Sequence, residues 1–258
     1  MLRVCSLGSG SSGNGLVVEA RDGLQVNRAL IDCGFNVREL RRRLQRAGLD
    51  IDALDAVFVT HEHSDHVGGV AALARRHGIP VYCTAGTAAA AGIAAPSIAW
   101  HCICAGEIVA LGALSVMAYD VPHDASEPVQ FTFSDGVRRA GLLTDAGDCS
   151  DVIATVLSGL HALVLECNHD EAMLRNGPYP AFLKARILGG RGHLSNRQAA
   201  GILRQVDCSK LAWIAAAHLS RTNNHPALAR AALAEALRCA EADIAVADQQ
   251  DGLAWREV

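Results

Sequence analysis

The run Thr60-His61-Glu62-His63-Ser64-Asp65-His66-Val67-Gly68-Gly69 puts three imidazoles and the Asp65 carboxylate within six residues. Protonated imidazoles at that density repel one another. Neutral imidazole and carboxylate are common ligands for zinc and related divalent ions. The apolar run Ala56-Val57-Phe58-Val59 just before it reads as a buried strand, so these groups fall on the loop at its end. His61 and His63, two residues apart on an extended loop, can reach one side and share an ion. Asp65 and His66, on the turn into the next helix, suit a second ion.

Three further ligand-type residues stand at the ends of apolar runs. His123 follows the strand expected at 115–121, Asp145 ends Gly141-Leu142-Leu143, and His218 ends the strand expected at 211–217. Any one of them alone reads as a locally hydrogen-bonded loop residue. The repeated arrangement points to convergence on one rim.

Other motifs suit an anionic substrate. In Gly8-Ser9-Gly10-Ser11-Ser12-Gly13-Asn14, glycines let backbone amides turn toward one point. Ser9, Ser11, Ser12 and Asn14 are therefore candidate substrate contacts, against the plainer reading of a flexible turn. In Gly192-His193-Leu194-Ser195-Asn196, Ser195 with Gln198 fits a capping box, which sets His193 beside a helix N-terminus where phosphate is favoured. Ser195 itself and Asn223, in the polar tail after His218, complete the substrate candidates. Arg38, Arg41, Arg42, Arg43 and Arg46 lie on one expected helix and read as a solvated face balanced by Glu39. Lys184, Arg186 and Arg191 precede His193 and better suit phosphate contacts. His169 is expected near the cleft, and His77, His101, His161 and His225 read as structural or surface residues.

The elements that must position these groups alternate. Strands are expected at 2–7, 16–20 and 24–31, with a hairpin turn at Asp22-Gly23, then a helix at 37–47 closed by Gly48. Helices follow the histidine motif at 69–77 and 84–93, with a short strand at 81–83 between them. Residues 107–143 are mostly strand, turning at Asp135-Gly136. A helix at 151–160, a strand at 161–166, an irregular stretch at 170–192 with Pro178 and Pro180, and a helix at 196–205 come next. The chain continues with strand 211–217, helix 226–240 and strands at 244–247 and 253–256. Strands followed by helices, twice over, suggest two sheets face to face with helices outside both.

The chain has 258 residues, half of them hydrophobic but only 4% aromatic, with a net charge of −4. A large core is available, and polyanion binding must use local positive charge and metal. The nine cysteines are scattered and form no CxxC, which reads as free thiols in a reducing cytoplasm. No signal-peptide pattern or membrane-length apolar stretch is expected, and no linker divides residues 1–258, read as a single domain.

Thr60-His61-x-His63-x-Asp65-His66-x-Gly68-Gly69, followed by His123, Asp145 and His218, resembles the metallo-β-lactamase superfamily over essentially the whole chain. The resemblance implies a four-layer αββα sandwich of the α/β (α+β) class, with two divalent metal ions, Zn2+ or Mn2+, between the sheets. It assigns His61, His63 and His123 to one ion, and Asp65, His66 and His218 to the other. Asp145 would bridge them. With the serine-glycine loop, Glu166-Cys167-Asn168-His169, and the motifs around His193 and His218, the chain resembles the YycJ/WalJ-like branch, related to ribonucleases Z and J. That branch implies 5′-to-3′ exonuclease action on DNA, with RNA as a second option. Ala146 and Gln130 depart from residues common in relatives. The stretch between Asp145 and Glu166 leaves no room for the long tRNA-gripping arm of ribonuclease Z.

The expected chemistry is phosphodiester hydrolysis by a hydroxide bridging two metals, with Asp65, Asp145 and His193 as catalytic residues. His193 would either protonate the leaving oxygen or hold a phosphate oxygen. Asp124 would either orient an imidazole or cap a turn. The alternatives are a glyoxalase-type thioester hydrolase, a small phosphodiester hydrolase, and a metal-bound scaffold that holds nucleic acid without cutting it.

Overall fold

The computed structural model describes residues 1–258. Its first half builds strands β1 (Leu2–Gly8), β2 (Gly15–Asp22), β3 (Gln25–Ile31), β4 (Ala56–Phe58), β5 (Val81–Cys83) and β6 (Trp100–Cys102). The residues that follow build β7 (Ile108–Leu111), β8 (Leu114–Asp120), β9 (Val129–Ser134), β10 (Arg139–Leu143), β11 (Ala162–Glu166), β12 (Trp213–Ala217) and β13 (Ile244–Val246). Strand β14 (Leu253–Glu257) returns to pair with β1. The sheets run β14-β1-β2-β3-β4-β5-β6 and β13-β12-β11-β10-β9-β8-β7.

Each sheet begins as an antiparallel meander and switches to parallel pairing, at β3–β4 in the first and β10–β11 in the second. Parallel neighbours need crossovers, and helices supply most of them. Helices α1 (Val37–Arg46), α2 (Ser64–Val67), α3 (Val70–His77) and α4 (Ala85–Ala90) serve the first sheet. Helices α5 (Asp151–Leu157), α6 (Glu171–Asn176), α7 (Ala181–Leu188), α8 (Asn196–Leu203) and α9 (Pro226–Leu237) serve the second.

Alternation along the strands sorts the core into three. Val4, Val18, Phe58, Phe131 and Val164 fill the space between the sheets. Val17 and Leu30, on the other face of the first sheet, meet Leu40, Leu44 and Leu73 from α1 and α3. Leu163 and Ile214 meet Ile153, Ile202 and Leu233 from α5, α8 and α9. Four layers, αββα, result.

Three differences from the sequence reading have physical causes. The stretch 170–192 is largely helical: Asp170 caps α6 by accepting from the Met173 amide, and Pro180 opens α7. Pro180 marks a helix start, where a missing N–H costs nothing. Arg43 is buried rather than solvated, and its Nη1 donates to the carbonyls of Leu7, Gln249 and Gln250. The first hairpin turns through Gly23-Leu24, because Asp22 still pairs with Gln25.

Candidate metal centre and cleft

The parallel strands of both sheets end on one rim, and the ligand-type residues stand just past those ends. Asp32 follows β3, Asp145 lies two residues beyond β10, Glu166 ends β11 and His218 follows β12. Asp32, Asp145 and His218 all adopt left-handed backbone, at φ 60°, 53° and 54°. Such geometry costs a non-glycine residue about 1–3 kcal/mol and concentrates at functional sites. It turns the chain sharply enough to aim each side chain into the rim.

Two donor sets face one another there. The ligand atoms of His61, His63 and His123 lie within 4.8 Å of one another, and so do those of Asp65, His66 and His218. Asp145 stands between the sets: it groups with His61 and His66, and again with Glu166, His193 and His218. His61, His66, His123, Asp145 and His218 are all buried.

The hydrogen bonds fix which nitrogen of each ring points inward. Asp32 Oδ2 accepts from the Thr60 hydroxyl at 2.9 Å and from His66 Nδ1 at 2.8 Å. Thr60 has a single hydroxyl proton, so its oxygen must accept from His61 Nδ1, 2.9 Å away. His123 Nδ1 donates to the Gly192 carbonyl at 3.1 Å, and His218 Nδ1 to Glu166 Oε1 at 2.9 Å. Each bond places the proton on Nδ1 and leaves the Nε2 lone pair aimed at the centre.

What meets those lone pairs is a place for a cation. His61 Nε2 and His63 Nδ1 are 3.0 Å apart, and His123 Nε2 is 3.3 Å from the same His63 nitrogen. His218 Nε2 and Asp145 Oδ2 are buried with no hydrogen-bond partner. Burial disfavours charge on Asp145, yet the positive charge that the surrounding carboxylates draw onto His218 and His66 in the absence of a cation reverses that and holds its carboxyl well below the usual range; a bound metal would take the place of the Nε2 protons. Burial also opposes charge on Glu166, and His193 and His218 bring it down to about 2. The donor set therefore fits divalent metal: imidazole lone pairs and ionised carboxylates, each braced from behind.

His193 is held apart from both triads. Its Nδ1 meets Glu166 Oε1 at 2.9 Å, and its ring lines a cleft of about 400 Å³ with His63, Asp65, Asp145 and His218. Glu166 Oε2 accepts from the amides of Ala146 and Leu194 at 3.1 Å each. One buried carboxylate thus orients both His193 and His218.

The serine-glycine loop folds over the second triad. Asn14 Nδ2 lies 3.0 Å from His66 Nε2 and 3.3 Å from Asp65 Oδ2. Ser9 Oγ accepts from the His218 amide, Ser11 lines the cleft, and the Ser12 amide donates to Gln249 Oε1. Gly34 packs so tightly on the Asp65 carbonyl that a Cβ there would collide with it.

Two substrate candidates are placed differently from the sequence expectation. Ser195 is fully buried as the cap of α8, accepting from the Gln198 amide and donating to Glu171. Asn223 is fully buried against Ser220 and takes the Asp170 amide on its carbonyl. Both brace loops behind the cleft rather than line it. Of the basic residues before His193, Arg186 lines the cleft and pairs with Asp124, whereas Lys184 donates to the Arg175 carbonyl. Asp124 Oδ1 is 3.4 Å from His123 Nε2. His169 is fully buried, with neither ring nitrogen hydrogen-bonded.

Residues 27–214 match the family model described as the Beta-lactamase superfamily domain. The chain belongs to the metallo-β-lactamase superfamily. Within that superfamily it is 36% identical to exodeoxyribonuclease YycJ of Bacillus anthracis, over 90% of this chain and 87% of that protein. It is 33% identical to exodeoxyribonuclease WalJ of Streptococcus pneumoniae, over 93% and 89% of the respective chains. The metallo-β-lactamase fold protein YhfI of Bacillus subtilis superposes with a TM-score of 0.75 at 16% identity, covering 100% of this chain and 99% of its own. The superfamily fold is thus shared across wide sequence divergence.

Asp32 and Glu166 are the functional residues that sequence reasoning left without a role. Both carried a signal: each is an acid at the end of an apolar run, as Asp145 is.

Proposed function

We propose that this chain is a metal-dependent phosphodiesterase that removes nucleotides from DNA ends, acting as one domain over residues 1–258. The observation that carries it is the pair of facing donor triads joined through Asp145 at the floor of a cleft, with Glu166-backed His193 on its wall. The similarity to the YycJ and WalJ exodeoxyribonucleases supports DNA as the substrate.

His61, His63 and His123 would hold one divalent ion and Asp65, His66 and His218 a second, with Asp145 shared. Zinc suits the histidines, and manganese suits the carboxylates. Such ions, when bound, lower the pKa of water and offset charge on a phosphoryl oxygen. The protein's own groups do the rest. Glu166 keeps the proton of His193 on Nδ1 in the neutral ring. The other nitrogen then either accepts a hydrogen from a substrate hydroxyl or, when protonated, donates to a phosphate or departing oxygen. Ser11 supplies a hydroxyl to the cleft, and Arg186 a guanidinium beside Asp124. The cytoplasm stays part of this proposal on the cysteine pattern. No helix is long and apolar enough to cross a membrane.

The test is purified protein loaded with Mn2+ or Zn2+ and offered 5′-phosphorylated DNA, RNA, a small phosphodiester and a glutathione thioester. Mononucleotide release from DNA at the highest kcat/KM is the expected result. Thioester turnover without phosphodiester cleavage would reject it.

A further inference from the structure

The cleft has one apolar wall, and it comes from a single short segment. Tyr179, Leu183 and Ile187 are the hydrophobic residues of its lining; Leu183 and Ile187, four apart, share one face of α7, and Tyr179 stands just before the helix. Across the cleft stand His63, Asp65, Asp145 and His218. A site for phosphate alone needs no such wall. A nucleotide has both parts: an anionic phosphate and an apolar base with flat faces.

Tyr179 is preset for that use. Pro178 and Pro180 flank it; proline fixes its own φ, and a residue before proline is confined to extended backbone. Little chain entropy is then lost when something packs on the ring. The wall is also tied to His193, whose amide donates to the Ile187 carbonyl at 3.0 Å. The volume of about 400 Å³ is at the small end of sites for one small ligand, and Asp145 and His218 at its floor are buried. A volume of that size matches one unpaired nucleotide better than a base pair.

We infer that Tyr179, Leu183 and Ile187 form a stacking wall for the terminal nucleobase of the substrate strand, so that each nucleotide is taken unpaired. This rests on the phosphodiesterase reading above and adds what the enzyme recognises besides phosphate. Stacking is indifferent to base identity, which suits an enzyme that digests any sequence.

The test compares oligonucleotides that differ only in the terminal nucleotide, base-bearing or abasic, at the 5′ and the 3′ end, with Mn2+-loaded full-length protein. Wild type should prefer the base-bearing terminus by about tenfold in kcat/KM at the end it digests, the scale of one base–aromatic contact. Tyr179→Ala should bring that ratio close to one, and Tyr179→Phe should keep it. Phe182→Ala removes an exposed aromatic of α7 outside the cleft lining and should leave the ratio at the wild-type value. A frayed, mismatched duplex end should be digested faster than a matched one. A loss of fold or positioning lowers both rates together, so the ratio isolates the contact; Leu183→Ser is the second variant if Tyr179→Ala does not fold. Wild-type digestion of DNA without preference for the base, or a preference surviving in both variants, overturns the inference alone. No DNA cleavage by wild type with either metal overturns the parent reading, and this one with it.

Discussion

Asp32 Oδ2 lies 2.8 Å from His66 Nδ1, on the side of the ring opposite the metal donors. Through Thr60 the same carboxylate also sets the proton on His61. One acid that reaches no donor site thus orients a ligand in each triad.

Asp32→Asn presents a donor where two donors now arrive and favours the wrong tautomer of His66. Metal affinity should fall about 10- to 100-fold, the usual cost of losing such a partner, while far-ultraviolet circular dichroism is retained. Competition against a chromophoric chelator reads this, and unchanged affinity would remove Asp32 from the site.

His193→Ala should separate catalysis from metal binding, because each triad is complete without His193, although its ligand atom also lies within 4.8 Å of those of Asp145 and His218. The expected loss is about 10²- to 10⁴-fold in kcat with full metal content by elemental analysis. A variant that also lost metal would make His193 a ligand.

Stripping the metal should lower the melting temperature by at least about 5 °C. The tight binding expected of such a site stabilises the native state by about 4 kcal/mol at a thousandfold excess of ion over Kd. Calorimetry with and without chelator, then after adding back Mn2+ or Zn2+, checks it; equal melting temperatures would contradict a structural contribution of the ions.

A separate acid-sensitive element lies on the first sheet, away from the rim. Glu19 is opposite Arg3 on β1 and Arg28 on β3, and it is fully buried beneath Arg3, Arg21 and Arg28. Burial works against its charge, but hydrogen bonds from the three arginines prevail and lower its pKa from 4.5 to about 2. The unfolded chain therefore binds the proton more readily. The stabilisation is present above about 4.5 and is lost as pH falls toward about 2. Glu19→Gln should be less stable than wild type at pH 7 and show a flatter decline across that acid window in urea titrations. A parallel decline in both proteins would contradict the assignment.

The αββα layering and the convergence of His61, His63, Asp65, His66, His123, Asp145 and His218 were legible in the sequence, because ligand-type residues at the ends of apolar runs stand out. The partners behind them were not. Asp32 and Glu166 have the same chemical types and the same strand-end placement as Asp145, and only three-dimensional contact distinguishes an acid that faces the centre from one that faces a ring. Helix α7 was hidden for another reason. Pro178, Pro180 and the glycines at 189, 190 and 192 mark its borders, and a short helix between such residues looks like loop. Arg43 reads as solvated from the sequence because charge alone does not reveal which position of an arginine-rich helix faces three carbonyls.

The rim gathers residues from Ser9 to His218, and the loop holding Ser9 is itself pinned by Gln249. Contacts so distant along the chain form late, since closing long loops must precede any reward from the contacts themselves. Asp32 and His66 can meet within the residues of the first sheet, but neither triad's full complement can, because His123 follows β8 and His218 follows β12 of the second sheet. A molecule that is partly folded, or has one sheet undocked, is therefore disarmed: hydrolytic competence arrives only with completed tertiary structure.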